Sequence, residues 1–109
     1  MKDSAMIVEM RTYQTKPGMR AQFLDLFRAK SIPEHRRLGM PIVGPLLDVE
    51  HPDRFFFMRG FTRQDTREAT KATFYDGHLW KEQLEEAMLP MLEHYDVVVV
   101  DDSEGLIKW

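Results

Sequence analysis

Three polar side chains alternate along the first apolar stretch of the chain. Glu9, Arg11 and Tyr13 are separated by single residues, and successive side chains of a β-strand point to opposite faces. All three therefore share one face, with neighbours about 7 Å apart along the strand. A carboxylate can hold a guanidinium as a clamp for a ligand carboxylate or carbonyl, and the tyrosine adds a hydroxyl. The alternative is a purely structural ion pair between Glu9 and Arg11.

Two further residues are candidates for the same site. Arg59 interrupts an aromatic strand, and a charge on such a face must be paired or reach water. Glu9 is the partner expected across the sheet, with or without a ligand. His78 stands at the start of a predicted helix, where backbone amides favour anions and an imidazole can exchange a proton; a simply exposed residue is the alternative. The predicted ligand-binding residues are thus Glu9, Arg11, Tyr13, Arg59 and His78.

Composition excludes several kinds of chemistry. The chain has no cysteine, so disulfides, thiolate catalysis and cysteine-ligated metals are absent. Its four histidines lack metal-ligand spacing, and we expect neither a metal nor another cofactor. No phosphate-binding loop or serine-hydrolase motif occurs. The net charge of −3 gives no electrostatic footprint for nucleic acid or an anionic membrane.

The elements that must position these residues follow from hydrophobic periodicity. Apolar alternation predicts strands over 6–14, 41–50, 54–62 and 96–101. Helical spacing predicts helices over 18–30, 63–75 and 78–94. Thr15 and Thr62 are the expected N-caps of the first two helices. Pro33 should kink the first helix or restart it, with Ser31 and Glu34 as a capping box.

The order of elements predicts the fold. Strand, helix, strand, strand, helix, helix, strand is the split βαβ, ferredoxin-like arrangement of an α+β domain with a four-stranded antiparallel sheet. Right-handed crossovers place the first and third strands in the middle, with the helices on one face. A chain of 109 residues is one domain of ordinary size, spanning 1–109.

The strands are apolar on both faces, although the helices suffice to cover only one. The run Val97-Val98-Val99-Val100 is the plainest case. Burying a large apolar side chain is worth ~1.5–3 kcal/mol, and a bare apolar sheet face marks an interface. Two such sheets facing each other would form a dimeric α/β barrel, so we predict a homodimer.

Localisation is predicted from what the sequence lacks. No apolar run of signal-peptide length follows Met1-Lys2-Asp3-Ser4. No apolar stretch approaches the ~20 residues of a membrane span. We therefore expect a cytoplasmic protein without a membrane span.

The motifs resemble those of the NIPSNAP family. Glu9-Met10-Arg11-Thr12-Tyr13, followed by Lys16-Pro17-Gly18, resembles the opening of the family's domain. Thr66-Arg67-Glu68-Ala69 is similar to a later helical motif, and the likeness spans roughly 7–100. One departure is Lys71, which stands nearest to where members often carry a second arginine. The resemblance implies a dimeric α/β barrel, and a single domain of this kind would pair with a copy of itself.

Two functions remain open at this point. The wider superfamily implied by the resemblance includes cofactor-independent oxygenases, haem-degrading enzymes, lyases and proteins that only bind. The first hypothesis is a homodimeric barrel that binds a small organic molecule, with or without an oxygenase, lyase or isomerase step. The second is a non-enzymatic interaction module whose cavity is filled by its own side chains. An open cavity containing Arg11 and Tyr13 would favour the first.

Overall fold

The computed structural model describes residues 6–109. The predicted first strand is confirmed as β1, Ile7–Thr15. Its alternation places Glu9 and Arg11 on a buried face, whereas Met10 between them is largely exposed. The domain predicted over 1–109 and the expected absence of a signal peptide both involve residues 1–5, which lie outside the described part.

The first helical region is continuous rather than restarted. It consists of α1 (Arg20–Leu26), a π-helical turn (Phe27–Ser31) and α2 (Ile32–Arg37). The predicted capping box is wrong, because Ser31 has helical backbone angles and makes no side-chain capping bond. A proline ring clashes with the carbonyl four residues before it in a regular α-helix. The wider π turn immediately before Pro33 relieves this clash, so the helix continues.

The second and third strands form the predicted hairpin, β2 (Ile42–Leu47) and β3 (Arg54–Phe61). β2 is an edge strand with an irregular register, as its prolines and glycine predicted. Gly44 has a φ of +122°, and a Cβ atom there would lie 2.8 Å from the Cβ of Phe57. Only glycine fits this close approach of the two strands without strain.

In the second half of the chain, several element boundaries differ from the predicted ones. The first helix there begins later than predicted, and the last strand begins earlier. α3 spans Arg67–Tyr75. It is followed by a π-helical turn (Trp80–Leu84), α4 (Glu85–Met88), a 3₁₀ turn (Leu89–Met91) and β4 (Leu92–Asp101).

Three local predictions are wrong in this light. Thr66 rather than Thr62 precedes α3, and Thr15 is the last residue of β1 rather than a helix cap. β4 begins at Leu92 rather than 96, because pairing with β1 extends it back to the residue opposite Thr15. Such pairing is a non-local interaction that overrides the helical pattern of the same residues.

The sheet has the predicted topology. Its order is β2-β3-β1-β4 with every neighbouring pair antiparallel, so β1 and β3 are central. Helices cover one face and enclose an aromatic core that includes Phe23, Phe27, Phe55 and Phe57. None of the helices within residues 6–109 is long and apolar enough to cross a membrane.

The opposite face of the sheet is apolar and largely exposed, although Val8 on that face is buried. Met10, Phe56 and Val98 keep 43%, 37% and 59% of their surface exposed. They come from β1, β3 and β4 respectively, so the exposed surface crosses the sheet. This is the two-sided apolar character predicted from the strands, with one side unoccupied in the single chain.

Candidate functional site

The sheet register brings the predicted charges together. Glu9 on β1 lies directly opposite Arg59 on β3. Residues opposite each other in an antiparallel pair point to the same face, which here is the face under the helices. Arg11 follows two residues after Glu9 and points the same way. The alternation of β1 and the pairing with β3 therefore build the centre of the site.

Four cationic side chains surround the carboxylate of Glu9, which is fully buried. Oε1 accepts hydrogen bonds from Arg11 Nη1 and from Arg59 Nε, the latter at 2.8 Å. Oε2 accepts from Arg67 Nη1 at 3.1 Å and lies 3.6 Å from Lys71 Nζ. Both carboxylate oxygens are thus engaged by two cations each.

The cations determine the ionisation of Glu9. Burial by itself raises the pKa of this carboxyl, but the charges and hydrogen bonds of Arg59 and Arg11 outweigh burial and hold the pKa below its ordinary value. Glu9 is therefore a carboxylate at neutral pH and a weak proton acceptor. Its role in the geometry is to anchor cations.

In the cluster around Glu9, the positively charged side chains outnumber the negatively charged ones. Arg11 and Arg59 are almost fully buried, and Arg67 and Lys71 are mostly so. Among residues 6–109, exposed Glu68 is the one other carboxylate that forms ion pairs with Arg67 and Lys71. Three buried nitrogens have no hydrogen-bond partner within residues 6–109: Arg11 Nε, Arg59 Nη2 and Arg67 Nε. Unpartnered buried donors cost ~1–3 kcal/mol each, and functional sites are where such groups concentrate.

Arg59 also makes polar contacts with two residues other than Glu9. Its Nη1 lies 2.9 Å from His35 Nε2 and donates to the Tyr75 hydroxyl at 3.0 Å. The other imidazole nitrogen, Nδ1, lies 2.8 Å from the carbonyl oxygen of Ser31, one turn earlier on the helix. Burial lowers the pKa of His35 to about 4, which keeps the imidazole neutral near pH 7.

These groups border a cavity of about 300 Å³ between the sheet and the helices. Most of its wall is apolar or aromatic, and one region is polar. The polar lining residues are Arg11, Tyr13, Ser31, His35, Arg59, Lys71, Tyr75 and Tyr95. An apolar pocket with a few convergent polar groups is the usual form of a small-molecule site.

Aromatic rings hold Tyr13 and Arg11 at the cavity. The Tyr13 ring packs edge-on against Phe57 at 5.1 Å between centroids. The Arg11 guanidinium lies 5.6 Å from the ring centres of Tyr13 and Tyr95, within the range of cation–π attraction. Burial raises the pKa of Tyr13 to about 12, so its hydroxyl stays protonated.

The structure brings four of the five predicted residues together. Arg11, Tyr13 and Arg59 line the cavity, and Glu9 lies behind the two arginines without lining it. His78 does not join them. Its side chain is 95% exposed and contacts Glu82, four residues later, because His78 is the first residue of this helical region and lies on its outer side.

Sequence reasoning did not assign Arg67 and Lys71 to the site. Arg67 and Lys71 are four residues apart on α3 and therefore share a face. That spacing was visible in the sequence, but nothing there showed that this face turns toward Glu9. His35 reaches the site from α2, where its Nε2 contacts Arg59 of β3. Within residues 6–109, no three His, Asp or Glu side chains are grouped as metal ligands would be.

Comparison with solved structures identifies the fold. An uncharacterized NIPSNAP domain protein from Burkholderia xenovorans is 22% identical over 87% of this chain and 92% of its own, with a TM-score of 0.75. A NIPSNAP family protein from Agrobacterium tumefaciens is 22% identical over 87% of this chain and 90% of its own, with a TM-score of 0.77. An antibiotic biosynthesis monooxygenase is more distant, at 16% identity over 88% of this chain and 97% of its own, with a TM-score of 0.66.

The chain therefore has the fold of NIPSNAP family proteins, as its opening motif predicted. No family model matches the sequence, and a search of curated proteins also finds no match. The likeness is one of fold, so function must be argued from the site.

Proposed function

We propose that this protein is a homodimeric barrel that binds a small organic molecule in the cavity between its sheet and its helices. Arg11, Arg59 and Tyr13 contact the polar part of the molecule, and aromatic walls enclose its apolar part. Glu9 anchors the two arginines from behind. The observation that carries the proposal is the cavity itself, about 300 Å³ and bordered by Arg11 and Tyr13.

The open cavity favours ligand binding over the interaction-module hypothesis. In an interaction module whose cavity is filled by its own side chains, buried arginines with unpartnered nitrogens would lower stability without serving a function. Buried donors without a hydrogen-bond partner are costly, and a ligand that accepts hydrogen bonds from them would remove that cost. A reaction in the same cavity is a second candidate function. Oxygenase, lyase and isomerase reactions can pass through an enolate or a similar anion, and a cationic site stabilises such an anion.

The homodimer is supported by the uncovered sheet face. Met10, Phe56 and Val98 lie on the side away from the helices and are exposed in the single chain. A second copy with the same face would cover them isologously, as in most homodimers.

Ligand-induced stabilisation tests the binding proposal. A thermal-shift screen with small aromatic acids, phenols and ketones should find compounds that raise the melting temperature, because binding to the folded state adds ~2.7 kcal/mol at a hundred times Kd. For a domain of this size that corresponds to a shift of roughly ten degrees or more. Arg11→Met should abolish this rise in melting temperature. Arg37→Met is the control and should keep it, because Arg37 is exposed and paired with Glu34.

A second variant separates ligand contact from folding. Leu89 lines the cavity and is partly exposed at its rim, so Leu89→Trp should narrow the opening without touching the charges. Loss of the shift in a folded Leu89→Trp variant supports the proposal. Equal shifts in the wild type and both cavity variants, or none with any compound, would contradict it.

A further inference from the structure

We infer that the ligand is an organic acid bound as its anion, because the side chains in the polar region of the cavity offer hydrogen-bond donors and none of them can only accept. His35 and Tyr75 create this polarity together with Arg59. The inference rests on the proposed function and names the ligand class of that same cavity.

The cationic lining residues contribute donors only. Arg11, Arg59 and Lys71 border the cavity, and neither a guanidinium nor an ammonium has a lone pair to accept a hydrogen bond. No aspartate or glutamate is among the residues that line it. Among the described residues, the carboxylate that contacts Arg59 is that of Glu9. Both of its oxygens are bonded to the surrounding cations.

His35 has no free acceptor either. Arg59 Nη1 can only donate, so His35 Nε2, at 2.9 Å, must be the acceptor. The proton of the neutral imidazole is therefore on Nδ1, where it is donated to the carbonyl oxygen of Ser31 at 2.8 Å. Both ring nitrogens are engaged, and His35 acts as a positioning residue that holds the Arg59 guanidinium in place.

Tyr75 is oriented by the same guanidinium. Arg59 Nη1 carries two hydrogens, of which one goes to His35 and the other to the Tyr75 oxygen at 3.0 Å. The Tyr75 oxygen accepts this bond, and its own hydrogen has no acceptor among the described residues. The hydroxyl is consequently left to donate to a ligand. The remaining polar side-chain groups are the indole N–H of Trp80, which only donates, and the hydroxyls of Ser31, Tyr13 and Tyr95, which can donate as well as accept.

A carboxylate complements this arrangement. Its two oxygens accept hydrogen bonds and carry no hydrogen, whereas a primary amide of the same shape presents an NH₂ group to donors. A site built for one hydrogen-bonding pattern rejects the analogue that lacks it far more strongly than it rejects a change of size. The excess positive charge around Glu9 acts in the same direction.

Matched acids and amides test the ligand class. Isothermal titration at pH 7.5 should compare benzoate, phenylacetate, 3-phenylpropionate and 2-naphthoate with their primary amides. At least one acid should bind ten or more times tighter than its amide. Amides that bind as tightly as the acids would overturn this inference and leave the proposed function standing. Failure of every acid and every amide to bind would overturn both.

Variants test the two residues. Tyr75→Phe should weaken acid binding at least threefold without changing amide binding. His35→Gln keeps a carbonyl that can accept from Arg59 and should retain the preference for acids, whereas His35→Leu should lose it. A folded His35→Leu protein with an unchanged preference would overturn the role of His35.

The tautomer can be measured without a ligand. A two-bond ¹H–¹⁵N correlation spectrum of the wild-type protein distinguishes the two neutral forms of histidine. The expected result is the Nδ1–H form for His35 at pH 7.5. An Nε2–H form, or a protonated ring, would leave Arg59 without its acceptor and would overturn the role assigned to His35 even if His35→Leu failed to fold.

Discussion

At position 9 a carboxylate stands where the interior face of a sheet normally carries an apolar side chain. It is stable there because Arg11, Arg59, Arg67 and Lys71 converge on its two oxygens. The mutual repulsion of these four cations is offset mainly by this one buried negative charge. Glu9 therefore maintains the geometry of every charged residue in the site.

Removal of that charge should be strongly destabilising. Glu9→Gln leaves the buried arginines uncompensated and should lower the free energy of unfolding by ~3–5 kcal/mol, a large part of the ~5–15 kcal/mol typical of a domain. Urea denaturation measures the change. Glu68→Gln is the matched control, since exposed Glu68 contacts two of the same cations, and should cost less than ~1 kcal/mol. Equal losses would contradict the central role of Glu9.

His35 should make stability depend on pH. Its pKa is about 4 in the folded protein and ~6.5 when unfolded, so the unfolded chain binds more protons between these values. The stabilisation is complete above pH 6.5 and is lost as the pH falls toward 4. From pH 7 to 5, the wild type should lose about 2 kcal/mol more than His35→Gln.

Urea denaturation at both pH values measures this difference. Glu9 does not interfere, because its pKa lies below the ordinary value and its contribution is lost only at lower pH. The other three histidines are present in both proteins, so their contributions cancel in the comparison. Parallel pH profiles for wild type and variant would show that His35 is not held neutral by the fold.

Among the elements, two of the helical regions over the cavity share an irregularity. Each of the two contains a π-helical turn, Phe27–Ser31 in the first and Trp80–Leu84 in the second. Phe27, Ser31 and Trp80 from these turns line the cavity. π turns occur frequently at functional sites. Here they contribute side chains to the cavity wall.

The edge strand β2 depends on a single glycine. Gly44→Ala must accept both a φ of +122° and a Cβ contact of 2.8 Å with Phe57, and should cost ~2–5 kcal/mol from strain and overpacking together. Gly105→Ala is the control, because it also has a positive φ but meets no atom within 4 Å. Thermal denaturation should show a clearly larger loss for Gly44→Ala; similar losses would mean that the close approach of β2 and β3 adds nothing.

For the whole molecule, the exposed apolar sheet face is the basis of the proposed homodimer. Val98→Lys places a charge among exposed apolar side chains, and a dimer that buries this face should dissociate. Val49→Lys is the control, since Val49 is 97% exposed and lies in the β2–β3 connection. Sedimentation at micromolar concentration should give a dimer for wild type and control and a monomer for Val98→Lys. A monomeric wild type would contradict the proposed barrel.

The sequence by itself determined the strands, their two apolar faces, the order of elements and the presence of Glu9, Arg11 and Arg59 on one side of the sheet. These features depend on the two-residue period of a strand and on short-range turn residues, which can be seen in the sequence. Right-handed crossovers, applied to the order of the elements, predicted the central position of β1 and β3.

Only the tertiary structure decided which helical residues complete the site. Arg67, Lys71 and His35 reach Glu9 and Arg59 through packing between elements that are distant in the sequence. His78 is excluded for the same reason, since its position at a helix start did not show which way that helix faces. Local hydrogen bonding determines the period of an element, whereas its orientation toward others depends on the packing of the whole core. The cationic cavity is therefore a property of the folded chain, although its central carboxylate was evident from the strand pattern.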